Sequence, residues 1–252
     1  MYFNKEDISI YYEKYGNSSK TIFILPGWGD NRKTFYHLIN YFKEDYTIYI
    51  VDYPGFGNSI IPNKDLTIYD YANCIRELMT SENIKDPIII AHSFGGRIAT
   101  LLTGYYKEKI SKLVMIDAAS IKPRQTIKGF IKKITYKLLK HINKLLSKNK
   151  RKSFSKKLLK IFASNDYQNL PNGMHQTFKN IVNENLKYYI KDIESETLII
   201  WGEKDQATPL KDGIKFKILI KDSALIVYPN RGHFSYLEEP YLTNRIIESF
   251  IK

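Results

Sequence analysis

The chain has 252 residues, of which 43% are hydrophobic, which is enough for one large domain with a buried core. Its formal charge of +13 is concentrated in one segment, because residues 121–190 hold seventeen Lys or Arg and only two acidic residues. A single cysteine, Cys74, excludes an intrachain disulfide and a zinc site built from cysteines.

No segment has the pattern of a secretion signal or of a membrane span. The first seven residues lack the basic and then apolar order of a signal peptide. No apolar run approaches the ~20 residues that a spanning helix needs. We therefore expect a cytoplasmic protein.

Strands and helices alternate in the first half of the chain. Alternating apolar residues on either side of Glu6 and Asp7 predict an antiparallel hairpin. Thr67 and Asp70 form a capping box that predicts the start of a helix running to about residue 80. The apolar runs that predict buried strands are 21–25, 46–51, 87–90 and 112–116.

The alternation stops at about residue 121. Residues 121–190 predict helices without strands, and from residue 197 onward strands and helices alternate again. This order predicts a mostly parallel central sheet with helices on both faces, formed by residues 1–120 and 191–252. The Lys-rich segment 121–190 then forms a helical cap, inserted after the strand that ends near Asp117. Ligands of such a sheet bind at the carboxyl ends of its strands.

A serine lies between a predicted buried strand and a predicted helix in the stretch Ala91-His92-Ser93-Phe94-Gly95-Gly96. The residues two before it, and two and three after it, are small. In so tight a turn a larger side chain at these positions would collide with the neighbouring strand or helix. The spacing is typical of a nucleophile elbow, with Ala91 in place of the usual first glycine.

An acid and a histidine also follow predicted strands. Asp205 comes after the strand that ends at Trp201, and His233 comes after the last strand. A serine hydroxyl needs an imidazole to take its proton, and the imidazole needs a carboxylate on its other nitrogen. Asp117, at the end of another strand, is the alternative acid.

These motifs resemble those of the α/β-hydrolase fold family, over nearly the whole chain apart from the Lys-rich segment. The chain order Ser, Asp, His is the order of that family. The resemblance implies that Ser93 is the nucleophile, Asp205 the acid and His233 the base. It also implies an oxyanion hole made by the backbone N–H groups of Phe94 and Trp28. Some members take their acid from the strand after the elbow helix, which keeps Asp117 as the alternative.

The resemblance implies a serine hydrolase that cleaves a carboxylic ester or related acyl bond of a small molecule, with no metal or organic cofactor. A thioesterase and a carbon–carbon bond hydrolase of the meta-cleavage type would use the same residues. For the meta-cleavage type, Arg97 and Arg124 are the candidate substrate-binding arginines. A protein that kept the fold and binds a ligand without turnover is the alternative from another functional class.

The segment 121–190 carries an apolar stripe surrounded by lysines. In one interpretation the stripe covers the sheet and the lysines are solvated. In the other, the positive charge attracts an anionic substrate or binds weakly to an anionic membrane surface. No recognition motif accompanies the charge, so we expect no nucleic-acid partner. The stripe residues are Ile127, Phe130, Ile131, Ile134, Leu138, Ile142 and Leu145.

Overall fold

A computed structural model of the chain describes residues 1–5, 8–30, 32–122, 127–144 and 147–252. The predicted turn at Glu6 and Asp7 and the candidate Arg124 lie outside the described residues. So do Leu145 and the side chains of the first three residues of the predicted stripe.

Eight strands form one sheet in the order β1-β2-β4-β3-β5-β6-β7-β8. The first two strands pair antiparallel with each other, β2 pairs antiparallel with β4, and all further pairs are parallel. The predicted strands are confirmed, with bounds that shift by one or two residues. The strands are β1 (Tyr2–Lys5), β2 (Ile8–Tyr15), β3 (Thr21–Leu25), β4 (Thr47–Asp52), β5 (Ile88–His92), β6 (Lys112–Ile116), β7 (Thr197–Gly202) and β8 (Ser223–Tyr228).

Helices cover both faces of the sheet. The capping box of Thr67 and Asp70 is present at the start of α2, as predicted. A 3-10 turn precedes α1, and a π-helical turn at Leu101–Tyr105 continues α3. The α-helices are α1 (Tyr36–Phe42), α2 (Ile68–Ser81), α3 (Phe94–Thr100), α4 (Ile127–Lys144), α5 (Lys148–Phe162), α6 (Asn165–Gln168), α7 (His175–Asn183), α8 (Lys187–Ile190), α9 (Leu210–Leu219), α10 (Ser235–Glu238) and α11 (Pro240–Ile251).

Two apolar clusters, one on each face of the sheet, form the core. Successive residues of a strand point to opposite faces, so Phe23 joins the cluster beneath α2 and α3 while Ile24 joins the cluster beneath α1 and α11. The inner parallel strands β3, β5 and β6 are buried on both faces, which explains why their sequences are continuous apolar runs. The predicted fold class is therefore confirmed.

The segment 121–190 holds helices α4 to α8 and, among its described residues, no strand. Its second part packs on the core, where Ile181 and Ile190 are buried. In its first part, helix α4 does not bury the whole predicted stripe, so the interpretation that the stripe covers the sheet is wrong for three residues. Ile134, Leu138 and Ile142 are 50%, 61% and 43% exposed. None of the described helices combines the length and apolar character that crossing a bilayer requires.

Candidate active site

Ser93 occupies a strained turn between β5 and α3. Its backbone has φ 48° and ψ −110°, a conformation that a residue with a side chain rarely adopts. A Cβ at Gly95 would lie 2.0 Å from the backbone oxygen of Leu25, and one at Gly96 would lie 2.5 Å from the Cβ of Ala118. The two glycines therefore let the turn sit against β3 and against the loop that follows β6.

The structure brings Ser93, His233 and Asp205 together at the carboxyl ends of β5, β8 and β7. The Ser93 Oγ lies 2.9 Å from the His233 Nε2, and the His233 Nδ1 lies 2.8 Å from the Asp205 Oδ2. Both distances are within hydrogen-bond range. The arrangement allows the imidazole to take a proton from the hydroxyl while the carboxylate fixes the ring.

Contact between the two residues raises the pKa of His233 and lowers the pKa of Asp205, which favours a protonated ring beside an ionised carboxylate. Burial by itself would lower the pKa of His233, but the hydrogen bond and the charge of Asp205 raise it above its ordinary value. Burial would raise the pKa of Asp205, but hydrogen bonds from His233 and Thr208 lower it below its ordinary value. When His233 takes a proton as a general base it becomes an imidazolium, and Asp205 stabilises that charged form.

The alternative acid, Asp117, contacts other groups. Its Oδ1 accepts a hydrogen bond from the backbone N–H of Gly202 at 2.8 Å, and its Oδ2 accepts one from the Ser235 hydroxyl at 2.7 Å. Burial raises its pKa to about 6. It is the Asp205 carboxylate, and not that of Asp117, that lies at the Nδ1 of His233.

The sequence predicts that the backbone N–H groups of Phe94 and Trp28 bind the oxyanion. Phe94 follows Ser93 at the first position of α3, and Trp28 lies in the loop after β3. In the part of the chain that the structure describes, neither N–H donates to a protein acceptor. The two aromatic rings pack edge to face with centroids 5.0 Å apart, which holds the loop against the elbow.

A cavity of about 420 Å³ opens beside Ser93 and His233. Aromatic and aliphatic side chains form much of its wall, and α7 supplies Phe178 and Ile181. Its charged lining residues are Asp30, Asp166, Asp212 and Arg97. The volume is in the range of small-molecule sites.

The family model described as alpha/beta hydrolase fold matches residues 20–240. The chain belongs to the α/β-hydrolase fold family. The resemblance stated from the sequence motifs is therefore confirmed.

Among similar proteins is the pimeloyl-[acyl-carrier protein] methyl ester esterase of Wigglesworthia glossinidia brevipalpis. It is 28% identical over 260 residues, which cover 94% of this chain and 95% of the relative. A 2-hydroxy-6-oxononadienedioate/2-hydroxy-6-oxononatrienedioate hydrolase of Pseudomonas putida is 23% identical over 269 residues, 97% of this chain and 92% of the relative. The first name specifies a methyl ester as the substrate, and the second specifies a dienedioate or trienedioate.

Among solved structures, an esterase from Exiguobacterium antarcticum superposes with a TM-score of 0.74. The match covers 97% of this chain and 96% of that chain at 24% identity. At this identity the likeness shows the fold alone.

Two features of this α/β hydrolase were missed in the sequence. Thr208 donates its backbone N–H to the Asp205 Oδ1 at 2.9 Å and its hydroxyl to the Asp205 Oδ2 at 2.5 Å. An aspartate followed by Thr at the third position is a common local turn pattern, and that spacing was the available signal.

The second missed feature is a buried histidine that joins two loops of the site. The His92 Nδ1 lies 2.9 Å from the Asp30 Oδ2, and its Nε2 lies 2.9 Å from the backbone oxygen of His233. Asp30 also accepts the backbone N–H of Gly27 at 2.9 Å. The ring therefore connects the loop that carries Trp28 to the loop that carries His233. Its two partners lie 62 and 141 positions away in the chain, so no local sequence pattern reveals these contacts.

Arg97, a candidate substrate-binding arginine of the meta-cleavage type, donates its hydrogen bonds to backbone oxygens of the protein. Its guanidinium donates to the backbone oxygens of Ala119, Ile181 and Glu184, each at 2.7 Å. Burial lowers its pKa to about 10, but this value still leaves the guanidinium charged at neutral pH. Among the described residues, no group of three or more His, Cys, Asp or Glu side chains is placed to hold a metal ion.

Proposed function

We propose that this α/β hydrolase cleaves a carboxylic ester of a small molecule through an acyl-enzyme on Ser93. The observation that carries the proposal is the continuous chain of contacts from the Ser93 hydroxyl through the His233 ring to Asp205, at 2.9 and 2.8 Å. A serine at the elbow can accept an acyl group, and water can then release the acid.

In the first half of the reaction, the Ser93 Oγ attacks the ester carbonyl carbon while the His233 Nε2 takes the hydroxyl proton. The carbonyl oxygen becomes an oxyanion, which the N–H groups of Phe94 and Trp28 stabilise. The intermediate then breaks its bond to the alcohol oxygen, which leaves with the proton from His233. Asp205 stays ionised and holds the ring in one orientation.

In the second half, a water molecule replaces the alcohol. The His233 Nε2 takes one proton from the water, whose oxygen attacks the acyl carbon and forms a second oxyanion. The bond to the Ser93 Oγ then breaks, and His233 returns its proton to that oxygen. The products are the acid and the free enzyme.

The charges around the cavity favour a neutral acyl group. Among the described residues that line it, three side chains are aspartates, and the guanidinium of Arg97 already donates to three carbonyl oxygens. From the lining residues that the structure describes, an anionic acyl chain would therefore meet acidic groups and no unpaired cation, at a cost in a site of low polarity. The same reasoning disfavours the dicarboxylate substrates in the name of the Pseudomonas putida relative.

The experiment is a chain-length series of p-nitrophenyl esters, run beside acyl-CoA thioesters and a meta-cleavage dienoate. We expect ester hydrolysis with a chain-length optimum set by the cavity, and slower cleavage of esters that end in a carboxylate. Methanol should divert product from the acid to the methyl ester, because it competes with water for an acyl-enzyme. Ser93→Ala is the control for background hydrolysis.

Three outcomes would overturn the proposal. Preferred turnover of the dienoate would make the protein a carbon–carbon bond hydrolase, and preferred turnover of acyl-CoA would make it a thioesterase. Saturable binding of an ester by the folded wild type, without product, would make it a ligand-binding protein on this fold.

A further inference from the structure

Helix α4 presents an aliphatic stripe to solvent. Ile134, Leu138 and Ile142 are spaced four residues apart, so they lie on one side of the helix, and they are 50%, 61% and 43% exposed. Single exposed aliphatic side chains are ordinary on protein surfaces, but a row of three along one helix is a contiguous patch.

The side of α4 opposite the stripe packs on α5, so the stripe does not face α5. Asn143 is buried and donates its side-chain N–H to the Ser155 hydroxyl at 2.6 Å. The Tyr136 ring contacts the Phe162 ring with centroids 5.6 Å apart. With this face used by α5, the stripe is left on the outward side of the helical pair.

The charge around the stripe has a single sign. Residues 127–162, which span α4 and α5, contain thirteen Lys or Arg and no Asp or Glu. Lys137 and Lys140 of α4 and Lys156 and Lys157 of α5 are exposed. A helix that combines an aliphatic face with a lysine-rich polar face is the pattern of a helix lying in a membrane interface.

We propose that the α4–α5 pair docks on an anionic lipid bilayer, with the stripe in the acyl boundary and the lysines at the headgroups. Both halves of the surface are needed for this partner, because lysines alone bind weakly through charge and the stripe alone is short. Two copies of the chain would bring together faces of like charge, which disfavours self-association through this surface. Nucleic acid would use the lysines but would leave the stripe exposed to water.

The test measures the protein bound to vesicles by flotation, and not product formation, so it does not depend on the role of Ser93. One set of vesicles is phosphatidylcholine alone, and the other is phosphatidylcholine with about 30% phosphatidylglycerol. We expect binding to the second set only, and weaker binding at 1 M salt, where the screening length falls to about 3 Å.

Two variants separate the halves of the surface. Changing Ile134, Leu138 and Ile142 to Ser should weaken partition about a hundredfold, because three aliphatic side chains no longer insert. Lys137→Gln with Lys140→Gln should weaken it by about fivefold per lysine on anionic vesicles. All these side chains are exposed, so thermal unfolding should be unchanged, which checks the fold of each variant.

The matched control is Ile214→Ser with Ile218→Ser on α9, two aliphatic residues that are also spaced by four and are 45% and 74% exposed. We expect this control to bind like the wild type. The proposal is overturned if the wild type binds neither vesicle, binds both equally, or loses binding in the control to the same extent.

Two other occupants of the surface are tested in parallel. Sedimentation of the wild type as a dimer that the stripe variant abolishes would assign the surface to a second copy and overturn the proposal. Binding of a DNA duplex that is stronger than vesicle binding and unaffected by the stripe variant would likewise overturn it.

Discussion

Asp205 and Asp117 both act on the charge of His233, and they differ in what they contact. Asp205 is 2.8 Å from the ring Nδ1, whereas Asp117 accepts hydrogen bonds from Gly202 and Ser235. The local turn around Asp205, with the N–H groups of Ala207 and Thr208 on its Oδ1, aims one oxygen at the ring. The catalytic contribution of the two residues should therefore differ by orders of magnitude.

The first prediction compares Asp205→Asn with Asp117→Asn. Removing the Asp205 charge should lower kcat about 10⁴-fold, because the ring loses its orienting partner and its stabilised cation. The acidic limb of the remaining pH profile should shift to lower pH than in the wild type, because the carboxylate that raises the pKa of His233 is gone. The measurement is kcat/KM against pH. A comparable loss in Asp117→Asn would contradict the assignment.

The second prediction concerns Asp117 and stability. Burial raises the pKa of this carboxyl from 3.8 to about 6 in the folded protein. A carboxyl that holds its proton more tightly when folded stabilises the fold at low pH and loses that contribution as pH rises from about 4 to about 6. The loss amounts to about 3 kcal/mol, at 1.36 kcal/mol per pKa unit.

The measurement is the free energy of unfolding in urea, for wild type and Asp117→Asn, between pH 4 and pH 7. Asparagine also tolerates the positive φ of 46° at this position, so the backbone need not change. The wild-type free energy minus that of the variant should fall across this window. A difference that is flat or rises with pH would contradict the assigned burial effect.

At the residue scale, the sequence singled out three residues that the structure brings together, but not the groups that contact them. Ser93, Asp205 and His233 each follow a strand, and the motif around each residue is local, so a linear pattern reveals it. Thr208 was not predicted because its role depends on the turn that points it at Asp205. The contact of His92 with Asp30 joins residues 62 positions apart, which only the assembled sheet brings together.

At the element scale, the elbow depends on how closely α3 approaches β3. A Cβ at Gly95 would lie 2.0 Å from the backbone oxygen of Leu25, and a strand backbone in the middle of a sheet cannot move aside. Gly95→Ala should therefore lower the free energy of unfolding by about 3 kcal/mol, the upper end of the usual cost of overpacking.

Gly232→Ala is the control for this third prediction. Its Cβ would lie 3.4 Å from the Glu238 Oε1, an ordinary contact, and a change within about 0.5 kcal/mol is expected. Urea unfolding of the two variants makes the comparison. Equal stability of Gly95→Ala and wild type would contradict the close approach of α3 to β3.

The fourth prediction concerns the attachment of α7 to the core. The buried Arg97 guanidinium donates to the backbone oxygens of Ile181 and Glu184 at the carboxyl end of this helix, where the helix dipole is negative. Arg97→Met should destabilise this attachment by about 3 kcal/mol, since the carbonyl oxygens of Ala119, Ile181 and Glu184 each lose a hydrogen bond from a charged donor.

In Arg97→Met, hydrogen exchange measured by mass spectrometry should speed up in residues 175–190, relative to the wild type, by more than it does in the strands. Arg76→Met on α2 is the control, because Arg76 forms a half-exposed ion pair with Glu108 that contributes little. Exchange that increases uniformly over the chain in Arg97→Met, or equally in both variants, would contradict a local role in holding α7.

Strands were easier to predict than the helices of the segment 121–190. Strands buried on both faces leave continuous apolar runs, and their bounds were correct to one or two residues. The stripe of α4 has the spacing of a buried helix face, but spacing does not say what covers that face. Packing on α5 takes the Tyr136 and Asn143 side, and three residues of the stripe are left exposed.

For the whole molecule, the order of the strands turns distant motifs into one site. The chain runs from β3 outward to β4 and then returns to β5 on the other side of β3, so the elbow lies at the point where the sheet changes direction. The strands β5, β6, β7 and β8 follow in sequence, and their carboxyl ends carry Ser93, Asp117, Asp205 and His233. The alternation of elements predicted a parallel sheet, but the strand order required the family resemblance or the structure.

The most direct test of the central claim, that His233 activates Ser93 as a nucleophile, is covalent labelling with a fluorophosphonate. The folded wild type should gain the mass of one phosphonyl group, and digestion should place it on the peptide that contains Ser93. Ser93→Ala should gain none, and His233→Asn should react far more slowly, because its hydroxyl lacks a base. Absence of labelling in the folded wild type, or labelling that persists in Ser93→Ala, would contradict the claim.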